Sequence, residues 1–298
     1  MGMLLACKRA LLALGLLAGL LPAASAADSA AFSNAVMGGV SDYTARRGDT
    51  LNSLSARYGI SRSVLAQDNH FSRKHPLRIG SRVRLDTRHV VPHWLTDGII
   101  INLPQRMLYF FQSSQLVASY PVGVGKPDWP TPTGSFKIND IQTDKAWLVP
   151  LSIQEEMRRE GQTVITRIPP GPKNPLGRHW LGLSIAGYGI HGTSSPSSLY
   201  QFRSHGCIRS HPDDIEVLAP LVRVGTPVKL VYYTTLLAQT TDGHVWLEVQ
   251  PDVYKKGGDP LIEVRELAQK HQLLDKINWD KAYQVIQRQQ GVARDVSA

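Results

Sequence analysis

Cysteine is nearly absent from this sequence, which has two cysteines among 298 residues. Cys7 lies in an N-terminal segment with the pattern of a removable leader, and the other cysteine is Cys207. Without that leader a single cysteine remains, which excludes an internal disulfide. In a compartment where disulfides form readily, Cys207 is then an inert buried thiol, half of an intermolecular bridge, a metal ligand or a nucleophile.

A hydrophobic run long enough to span a membrane is also missing. The apolar run from Leu11 to Leu21 is followed by Pro22 and small residues. It is shorter than the roughly 20 apolar residues that a membrane-spanning helix needs. A retained transmembrane helix is therefore the weaker interpretation of this segment.

The N-terminus has instead the three parts of a secretory signal. Lys8 and Arg9 form a basic start, the apolar run follows, and Ala24-Ser25-Ala26 is a small-residue cleavage site. We expect residues 1–26 to be a signal peptide and the mature protein to be exported to the periplasm. Cys7 precedes the apolar run, which is the wrong place for a lipidated cysteine, so it should leave with the signal.

Acidic residues are too few to balance the basic ones. The formal charge of +9 falls to +7 once Lys8 and Arg9 are removed, because every acidic residue lies beyond the predicted cleavage site. A basic exported protein suits an anionic surface such as a cell wall or phospholipid, or its charge serves solubility alone. No nucleic-acid motif is present, and no nucleic acid is expected as a partner.

The first part of the mature chain predicts a linker and a small folded unit. Residues 27–42 are rich in alanine, serine and glycine without a sustained period, so we expect a linker. A strand is predicted at Tyr43 to Ala45, and Gly48-Asp49-Thr50 forms a turn and helix cap. A second short helix ends towards Asn69, and Arg82 to Leu85 alternates as another strand.

This order of strand, helix, helix and strand resembles the LysM module over residues 43–86. The resemblance implies a small α+β module that binds glycan containing N-acetylglucosamine, such as peptidoglycan. Gly48, Asp49, Thr50 and Asn69 are its candidate binding residues, and a packing domain without a ligand is the alternative. The matching residues are Tyr43, Gly48-Asp49-Thr50-Leu51, Leu54, Tyr58-Gly59, Leu65, Asn69, Leu77, Gly80 and Leu85.

Residues 97–233 show a different sequence pattern, in which short apolar runs are separated by glycine and proline. This pattern is typical of a sheet-rich sandwich or barrel. Two helices interrupt it, one at Ile153 to Glu160 and one that starts near Ser210 with Pro212 at its first position. The predicted strands are Ile99–Leu103, Met107–Phe111, Leu116–Val122, Ser135–Ile141, Leu181–Ala186 and Val228–Tyr233.

Residues 234–298 are predicted to be a C-terminal extension. It contains a strand at Val245 to Val249 and then helices that begin near Asp259 and Asn278. The apolar stripes of these helices are expected to be packing surface without chemistry.

The residues that point to chemistry form two segments, His191-Gly192-Thr193 and Ser204 to Arg209. A thiol becomes a useful nucleophile when an imidazole takes its proton and backbone N–H groups hold the oxyanion on the attacked carbonyl. Gly206 removes bulk beside Cys207, and the helix predicted near Ser210 would place free N–H groups near the sulfur. One cysteine and one histidine alone remain a weak indication.

Together the two segments resemble the signature of the L,D-transpeptidase catalytic domain, often called YkuD-type. That signature has a His-Gly-Thr strand end, a loop, and then Ser-His-Gly-Cys, an aliphatic residue and arginine. Three upstream segments also match Gram-negative members, so the likeness spans roughly Ile99 to Val231. These segments are Tyr120 to Gly125, Thr131 to Phe136 and Asn174 to Gly177.

The resemblance implies a mainly β catalytic domain with a sandwich- or barrel-like fold, and it assigns roles by position. Cys207 is the nucleophile and His191 the general base, while the Gly192 carbonyl orients the imidazole. The backbone N–H groups of His205, Gly206 and Cys207 would hold the oxyanion.

Three further residues belong to the predicted substrate site. Ser204 lies in the catalytic loop. Arg209 would shape the site and meet a substrate carboxylate, or it is a structural salt-bridge partner. Tyr188 would flank the cleft, or it is a core aromatic.

Two residues depart from the family pattern. Tyr200 follows Leu199 where glycine is usual, so we expect this loop to avoid a glycine-only conformation and substrate fit near it to differ. Ser210 stands where an aliphatic residue is common, and a helix cap explains it.

A zinc site is the rival to the nucleophile. His191, His205, Cys207 and His211 could offer tetrahedral ligands. The resemblance assigns no metal, so neither a metal nor a cofactor is expected.

By resemblance, the reaction removes the terminal D-alanine of a tetrapeptide stem and forms a thioester between Cys207 and the diaminopimelate carbonyl. The acyl group then passes to an amine of another stem peptide or to a lysine of an anchored lipoprotein. Hydrolysis, as in a carboxypeptidase or amidase, and a non-catalytic wall-binding protein are the alternatives. A monomer is expected.

Overall fold

The computed structural model describes residues 31–72, 77–92 and 96–298. The predicted signal peptide and the start of the predicted linker lie outside the described residues. Within those ranges, no helix combines the length and apolar character needed to cross a membrane.

The elements fall into three consecutive groups. The first comprises β1 (Phe32–Ser33), β2 (Val36–Met37), β3 (Val40–Thr44), α1 (Leu51–Tyr58), α2 (Arg62–Asp68), β4 (Arg82–Asp86) and β5 (His89–Val90). The second comprises β6 (Gly98–Asn102), β7 (Met107–Gln112), β8 (Gln115–Gly125), β9 (Gly134–Thr143), β10 (Trp147–Leu148), α3 (Leu151–Arg159), β11 (Arg167–Ile168), β12 (His179–Leu183), β13 (Gly189–His191), β14 (Phe202–Ser204), β15 (Ile208–Ser210), α4 (Pro212–Leu218) and β16 (Pro227–Val231). The third comprises β17 (Thr235–Gln239), β18 (Val245–Val249), α5 (Pro260–Lys270), α6 (Trp279–Arg288) and β19 (Arg294–Asp295).

The second group forms a nine-stranded sheet that closes on itself. The order is β14-β8-β15-β13-β12-β9-β16-β6-β7, and β8 also pairs with β7. Inward-facing aliphatic side chains such as Ile99, Ile101 and Leu181 are fully buried in its core. The mainly β, barrel-like class predicted from the sequence is confirmed, as are the six longer strands. β13, β14 and β15 have only three residues each, too few for a recognisable alternation.

The strand, helix, helix and strand order predicted for the first group is confirmed. Thr50 caps α1, because its side chain accepts from the Ser53 N–H while the Ser53 side chain accepts from the Thr50 N–H. Gly59 ends α1 in the left-handed region with φ 66°. Leu54 and Leu65 pack in the shared core between these helices and the β3–β4 pair.

The prediction of a linker at residues 27–42 is wrong for the part that the structure describes. β1 pairs in parallel with β17, and β2 pairs with β5. The partner strand β17 lies some 200 positions away in sequence, so local composition carries no sign of the pairing. β1, β17, β18 and β19 form one sheet against which α5 and α6 pack, which makes the C-terminal part a sheet with helices.

A buried polar network joins the three groups. The Glu248 carboxylate is fully buried and accepts from His89 Nδ1 at 2.9 Å, the Val90 N–H at 2.7 Å and Gln105 Nε2 at 3.0 Å. His89 Nε2 lies 2.9 Å from the Gly59 carbonyl oxygen. Because both partners of the ring can only accept, the contacts fit an imidazolium. Burial alone would lower the pKa of His89, but the Glu248 carboxylate raises it above its ordinary value.

Replacing Glu248 with glutamine should destabilise the whole chain. The substitution removes the negative carboxylate, and the amide NH₂ group of glutamine then faces an N–H donor that the carboxylate oxygen had accepted from. We expect the free energy of unfolding to fall by about 1–3 kcal/mol, the usual result of leaving a buried hydrogen bond unmade. Urea unfolding measures it. Glu266 on α5 is exposed, so Glu266→Gln is the matched control and should stay within about 0.5 kcal/mol. Equal urea midpoints for the two variants would mean that the charge of Glu248 contributes nothing to the free energy of unfolding.

Candidate active site

Strand alternation brings the predicted catalytic residues to one face of the sheet. β13 and β15 run in parallel, with Ile190 opposite Ile208 and His191 opposite Arg209. Both isoleucines are fully buried in the core. Since neighbouring side chains on a strand point to opposite faces, His191, Arg209 and Cys207 share the other face. There they line one cavity of about 790 Å³.

The His191 imidazole is buried and held in one orientation. Its Nδ1 lies 2.6 Å from the Gly192 carbonyl oxygen, and the Trp180 ring stacks on it at 5.8 Å between centroids. Because a carbonyl only accepts, Nδ1 carries the proton and Nε2 has a free lone pair. Burial, aided by the charge of Arg209, lowers the pKa of His191 to about 4. The ring is therefore a neutral base at neutral pH.

The Cys207 thiol is partly buried and lines the same cavity as His191. Its Sγ donates to the Gly187 carbonyl oxygen at 3.4 Å. Burial raises the pKa of Cys207, against the opposing effects of a hydrogen bond from the Gly189 backbone and the charge of Arg209. Both groups are therefore neutral at rest, and the thiol must lose its proton during attack.

The catalytic loop depends on glycine at position 206. Gly206 has φ 103°, and a side chain there would come within 2.7 Å of the Tyr188 ring, which flanks the cavity. Ser204 Oγ donates to the Cys207 carbonyl at 2.5 Å and accepts from the Gly206 N–H at 3.1 Å. The Gly206 N–H is thus bound to Ser204 in this structure, and its oxyanion role stays a prediction. The N–H groups of His205 and Cys207 are the other predicted donors.

The helix predicted to follow Ser210 is confirmed, with Pro212 as its first residue. β15 separates Cys207 from α4, and the cap is His211, whose Nδ1 accepts from the Asp213 N–H at 3.2 Å. The cap prediction for Ser210 is wrong, because this residue lies buried in β15. The helix N–H groups therefore do not act on the sulfur, in agreement with the raised pKa of Cys207.

Arg209 is placed to receive an anion. Its Nη1 donates to Ser198 Oγ at 3.3 Å, and it forms no ion pair with any described residue. Burial lowers the pKa of Arg209, and the charge of Arg203 acts in the same direction. A half-buried guanidinium facing the cavity without a carboxylate partner fits the substrate role better than the structural salt bridge.

Helix α3 is hydrogen-bonded to the catalytic loop. Glu156 accepts from His205 Nε2 at 2.5 Å and from Lys126 Nζ at 2.6 Å, and these contacts lower the pKa of Glu156. The Trp129 ring packs edge-on against His205 with 5.1 Å between centroids. Glu156, Trp129 and Trp180 were not among the predicted site residues. The helical pattern around Glu156 contains no sign of a partner 49 positions away.

The expectation for Tyr200 is also wrong. Tyr200 adopts φ 56°, in the left-handed region that glycine favours. Its buried ring lies under the Arg106 guanidinium at 4.2 Å, and Phe202 lies on the same guanidinium at 5.0 Å. Arg106 Nη2 also donates to Gln250 Oε1 at 3.4 Å, which connects this loop to the buried network around Glu248. Cation–π packing offsets the backbone strain.

Glycine at position 200 should be more stable than alanine there. Both variants lose the same ring, but only alanine retains the left-handed strain, so we expect Tyr200→Gly to exceed Tyr200→Ala by about 1 kcal/mol in urea unfolding. Phe202 lies in β14 and lacks a positive φ, which makes it the matched position. There the alanine variant should be the more stable one. An alanine advantage at both positions would show that Tyr200 bears no strain.

The residues predicted to bind glycan serve the fold of their own module. Asp49 Oδ2 accepts from the Tyr43 hydroxyl at 2.7 Å and from the Arg46 N–H at 2.6 Å. Thr50 caps α1, and Asn69 bonds both the N–H and the carbonyl of Arg84. Gly48 has φ 91° in an open turn. Their role in binding remains a prediction.

The four side chains of the rival zinc site are engaged separately. His205 bonds Glu156, His191 bonds the Gly192 carbonyl, His211 caps α4, and Cys207 donates to the Gly187 carbonyl. Within the described part of the chain, no group of three histidine, cysteine, aspartate or glutamate residues is arranged to hold a metal ion.

Comparison with known proteins identifies the family of this chain. Residues 96–230 match the L,D-transpeptidase catalytic domain, YkuD, and residues 43–86 match the LysM domain. "Probable L,D-transpeptidase ErfK/SrfK" of Salmonella typhimurium is 26% identical over 83% of this chain and 82% of its own length. An L,D-transpeptidase structure from Mycobacterium smegmatis is 19% identical, with a TM-score of 0.37 over 51% of this chain and 63% of that one. The YkuD protein of Bacillus licheniformis is 32% identical over 63% of this chain and 97% of its own length, and the chain therefore belongs to the L,D-transpeptidase family.

Proposed function

We propose that this protein is a periplasmic L,D-transpeptidase that works through a cysteine thioester on peptidoglycan stem peptides. The observation that carries the proposal is a neutral, buried imidazole with a free Nε2 in the same cavity as a lone, partly buried thiol. A base that is unprotonated at neutral pH can take the thiol proton as attack begins.

Acylation begins when Cys207 Sγ attacks the diaminopimelate carbonyl and its proton moves to His191 Nε2. The carbonyl oxygen becomes an oxyanion, for which the His205 and Cys207 N–H groups are the donors. The bond to D-alanine then breaks, and His191 returns the proton to the leaving amine. Arg209 faces the cavity with a guanidinium that pairs with no carboxylate of the described residues, and it would bind a carboxylate of the donor stem.

In deacylation the thiol of Cys207 becomes the leaving group and an amine becomes the nucleophile. An acceptor amine attacks the thioester, its extra proton passes through His191, and the C–S bond breaks to restore the thiol. The acceptor is an amine of a second stem peptide, which gives a cross-link, or a lysine of an anchored lipoprotein. Water in place of the amine would give hydrolysis, as in a carboxypeptidase.

Export and a monomeric state belong to the same proposal. The substrate lies outside the cytoplasm, and residues 1–26 have the pattern of a signal peptide. The mature protein recovered from a periplasmic fraction should begin at Ala27 by N-terminal sequencing, and sedimentation should give the mass of one chain. An intact N-terminus would contradict export by cleavage.

The direct test is incubation of the purified protein with disaccharide-tetrapeptide fragments, alone and with a lysine-bearing lipoprotein. Mass spectrometry distinguishes the cross-linked dimer, the hydrolysed tripeptide and the lipoprotein adduct. Dimer or adduct supports transfer, and tripeptide alone makes the protein a hydrolase. An unchanged substrate, together with no adduct from a thiol-reactive β-lactam, would leave a wall-binding protein without catalysis.

A further inference from the structure

The positive charge of this protein is concentrated in one small region. Residues 43–86 contain nine arginines and lysines against three aspartates, a net charge of +6. Residues 97–233 are three times as long and have thirteen basic and ten acidic residues, a net charge of +3. A charge that served solubility alone would not need this concentration.

Two turns of the LysM region bring part of this charge together. The Ala45 N–H donates to the Ser81 carbonyl at 2.9 Å, and the Gly80 N–H donates to the Ala45 carbonyl at 2.8 Å. The turn that follows β3 therefore lies beside the turn that precedes β4. Arg46 and Arg47 are exposed on the first turn, and Arg78 is exposed on the second. We call these three residues the arginine tip.

The arginine tip has no internal counterion among the described residues. Asp49, the nearest acid in sequence, uses one carboxylate oxygen for the Tyr43 hydroxyl and the Arg46 backbone N–H. Asp42 pairs with Arg82 at 2.5 Å, and Asp86 pairs with Arg88 and Arg294. Three like charges thus lie on two adjoining turns without a paired carboxylate, and their repulsion opposes folding unless an anion neutralises them.

The arginine tip also has an exposed apolar neighbour, Ile79. Ile79 is 70% exposed next to Arg78. A ligand that suits the tip therefore combines anionic groups with small apolar ones. A neutral glycan offers hydroxyl and acetyl groups but no charge, whereas a stem peptide offers carboxylates beside alanine methyl groups.

We propose that the arginine tip binds the carboxylates of peptidoglycan stem peptides. The guanidinium groups of Arg46, Arg47 and Arg78 present planar forks of donors that match carboxylates, and Ile79 contacts an alanine methyl group. The LysM region then distinguishes a peptide-bearing strand from a bare one, and so brings the enzyme to strands that carry its substrate. This inference rests on the proposed function for the identity of the stem.

The test compares pelleting of the full-length mature protein with three materials: intact sacculi, chitin, which is an insoluble neutral polymer of N-acetylglucosamine without peptides, and phosphatidylglycerol vesicles. The test variant is Arg46→Gln, Arg47→Gln and Arg78→Gln combined. The matched control is Arg62→Gln, Arg84→Gln and Arg223→Gln, which removes the same charge from exposed arginines outside the tip. Point variants are needed because Arg57 of α1 pairs with Asp213 and Asp214 of the catalytic domain, so that deleting the module would uncover this contact.

The wild-type protein should bind intact sacculi about tenfold more tightly than chitin, and the preference should fade towards about 0.5 M salt as surface charges are screened. The tip variant should lose the preference, while the control variant keeps it. Equal wild-type binding to chitin and sacculi, equal losses in both variants, or vesicle binding as strong as binding to sacculi would each overturn the proposal.

Turnover of soluble disaccharide-tetrapeptide separates this inference from the proposed function. The tip residues do not line the catalytic cavity, so the tip variant should convert the fragment at the wild-type rate. If the wild-type protein fails to convert it but still prefers peptide-bearing sacculi through the tip, the proposed function fails and the tip proposal stands. If conversion proceeds without any preference, only the tip proposal fails.

Discussion

Replacing Cys207 with alanine is expected to abolish turnover and acyl-enzyme formation, with a loss of at least about a thousandfold. Removal of the sulfur leaves no atom to attack the donor carbonyl and form the thioester, and the other cysteine, Cys7, lies in the proposed signal peptide. Mass spectrometry of the intact protein after incubation with a thiol-reactive β-lactam should show an adduct on the wild type and none on Cys207→Ala. Formation of cross-links by the variant would mean that the nucleophile lies elsewhere.

The same variant should fold normally, which makes the loss interpretable. Cys207 is partly buried, and its Sγ donates to the Gly187 carbonyl over a long distance of 3.4 Å. Its removal should change the free energy of unfolding by less than about 1 kcal/mol. Cys207→Ser keeps a hydroxyl in this place and should be nearly as inactive, because the neighbouring base is matched to a thiol. A large loss of stability in both variants would point to a structural role instead.

The proposed catalytic pair, Cys207 and His191, could be located from the sequence because its motifs are local. His191 ends one short strand and Cys207 precedes another, and each lies within a motif of a few residues. Strand alternation then determines that both face the cavity. The longer strands of the barrel were predictable for the same reason, because a run such as Met107 to Gln112 has enough residues to establish its period.

The parts that could not be predicted depend on contacts between distant segments. Glu156 reaches His205 only after the barrel has closed, and β1 becomes a strand only because β17 offers an edge. The left-handed Tyr200 is a similar case. Its conformation is permitted by an arginine from another turn, which the local sequence around Tyr200 does not contain.

Removing the base should slow acylation on the order of a hundredfold or more at neutral pH, the usual scale for general-base catalysis. His191→Gln serves this purpose, and His244→Gln is the matched control because His244 is an exposed histidine paired with Asp295 outside the cavity. The rate of adduct formation with the β-lactam measures acylation directly. Activity of His191→Gln equal to that of the control would exclude His191 as the base.

The pH profile gives the sharper result, because the pKa of His191 is lowered to about 4. A protonated imidazole cannot accept the thiol proton, so wild-type acylation should fall only as the pH drops through about 4 and should stay level from there to neutral pH. In His191→Gln no base remains, and burial raises the pKa of Cys207, so the rate should rise tenfold for each pH unit as thiolate forms. A wild-type decline centred near the ordinary histidine value of about 6.5 would show that the buried ring is solvated in the working enzyme, and the neutral-pair mechanism would then be wrong.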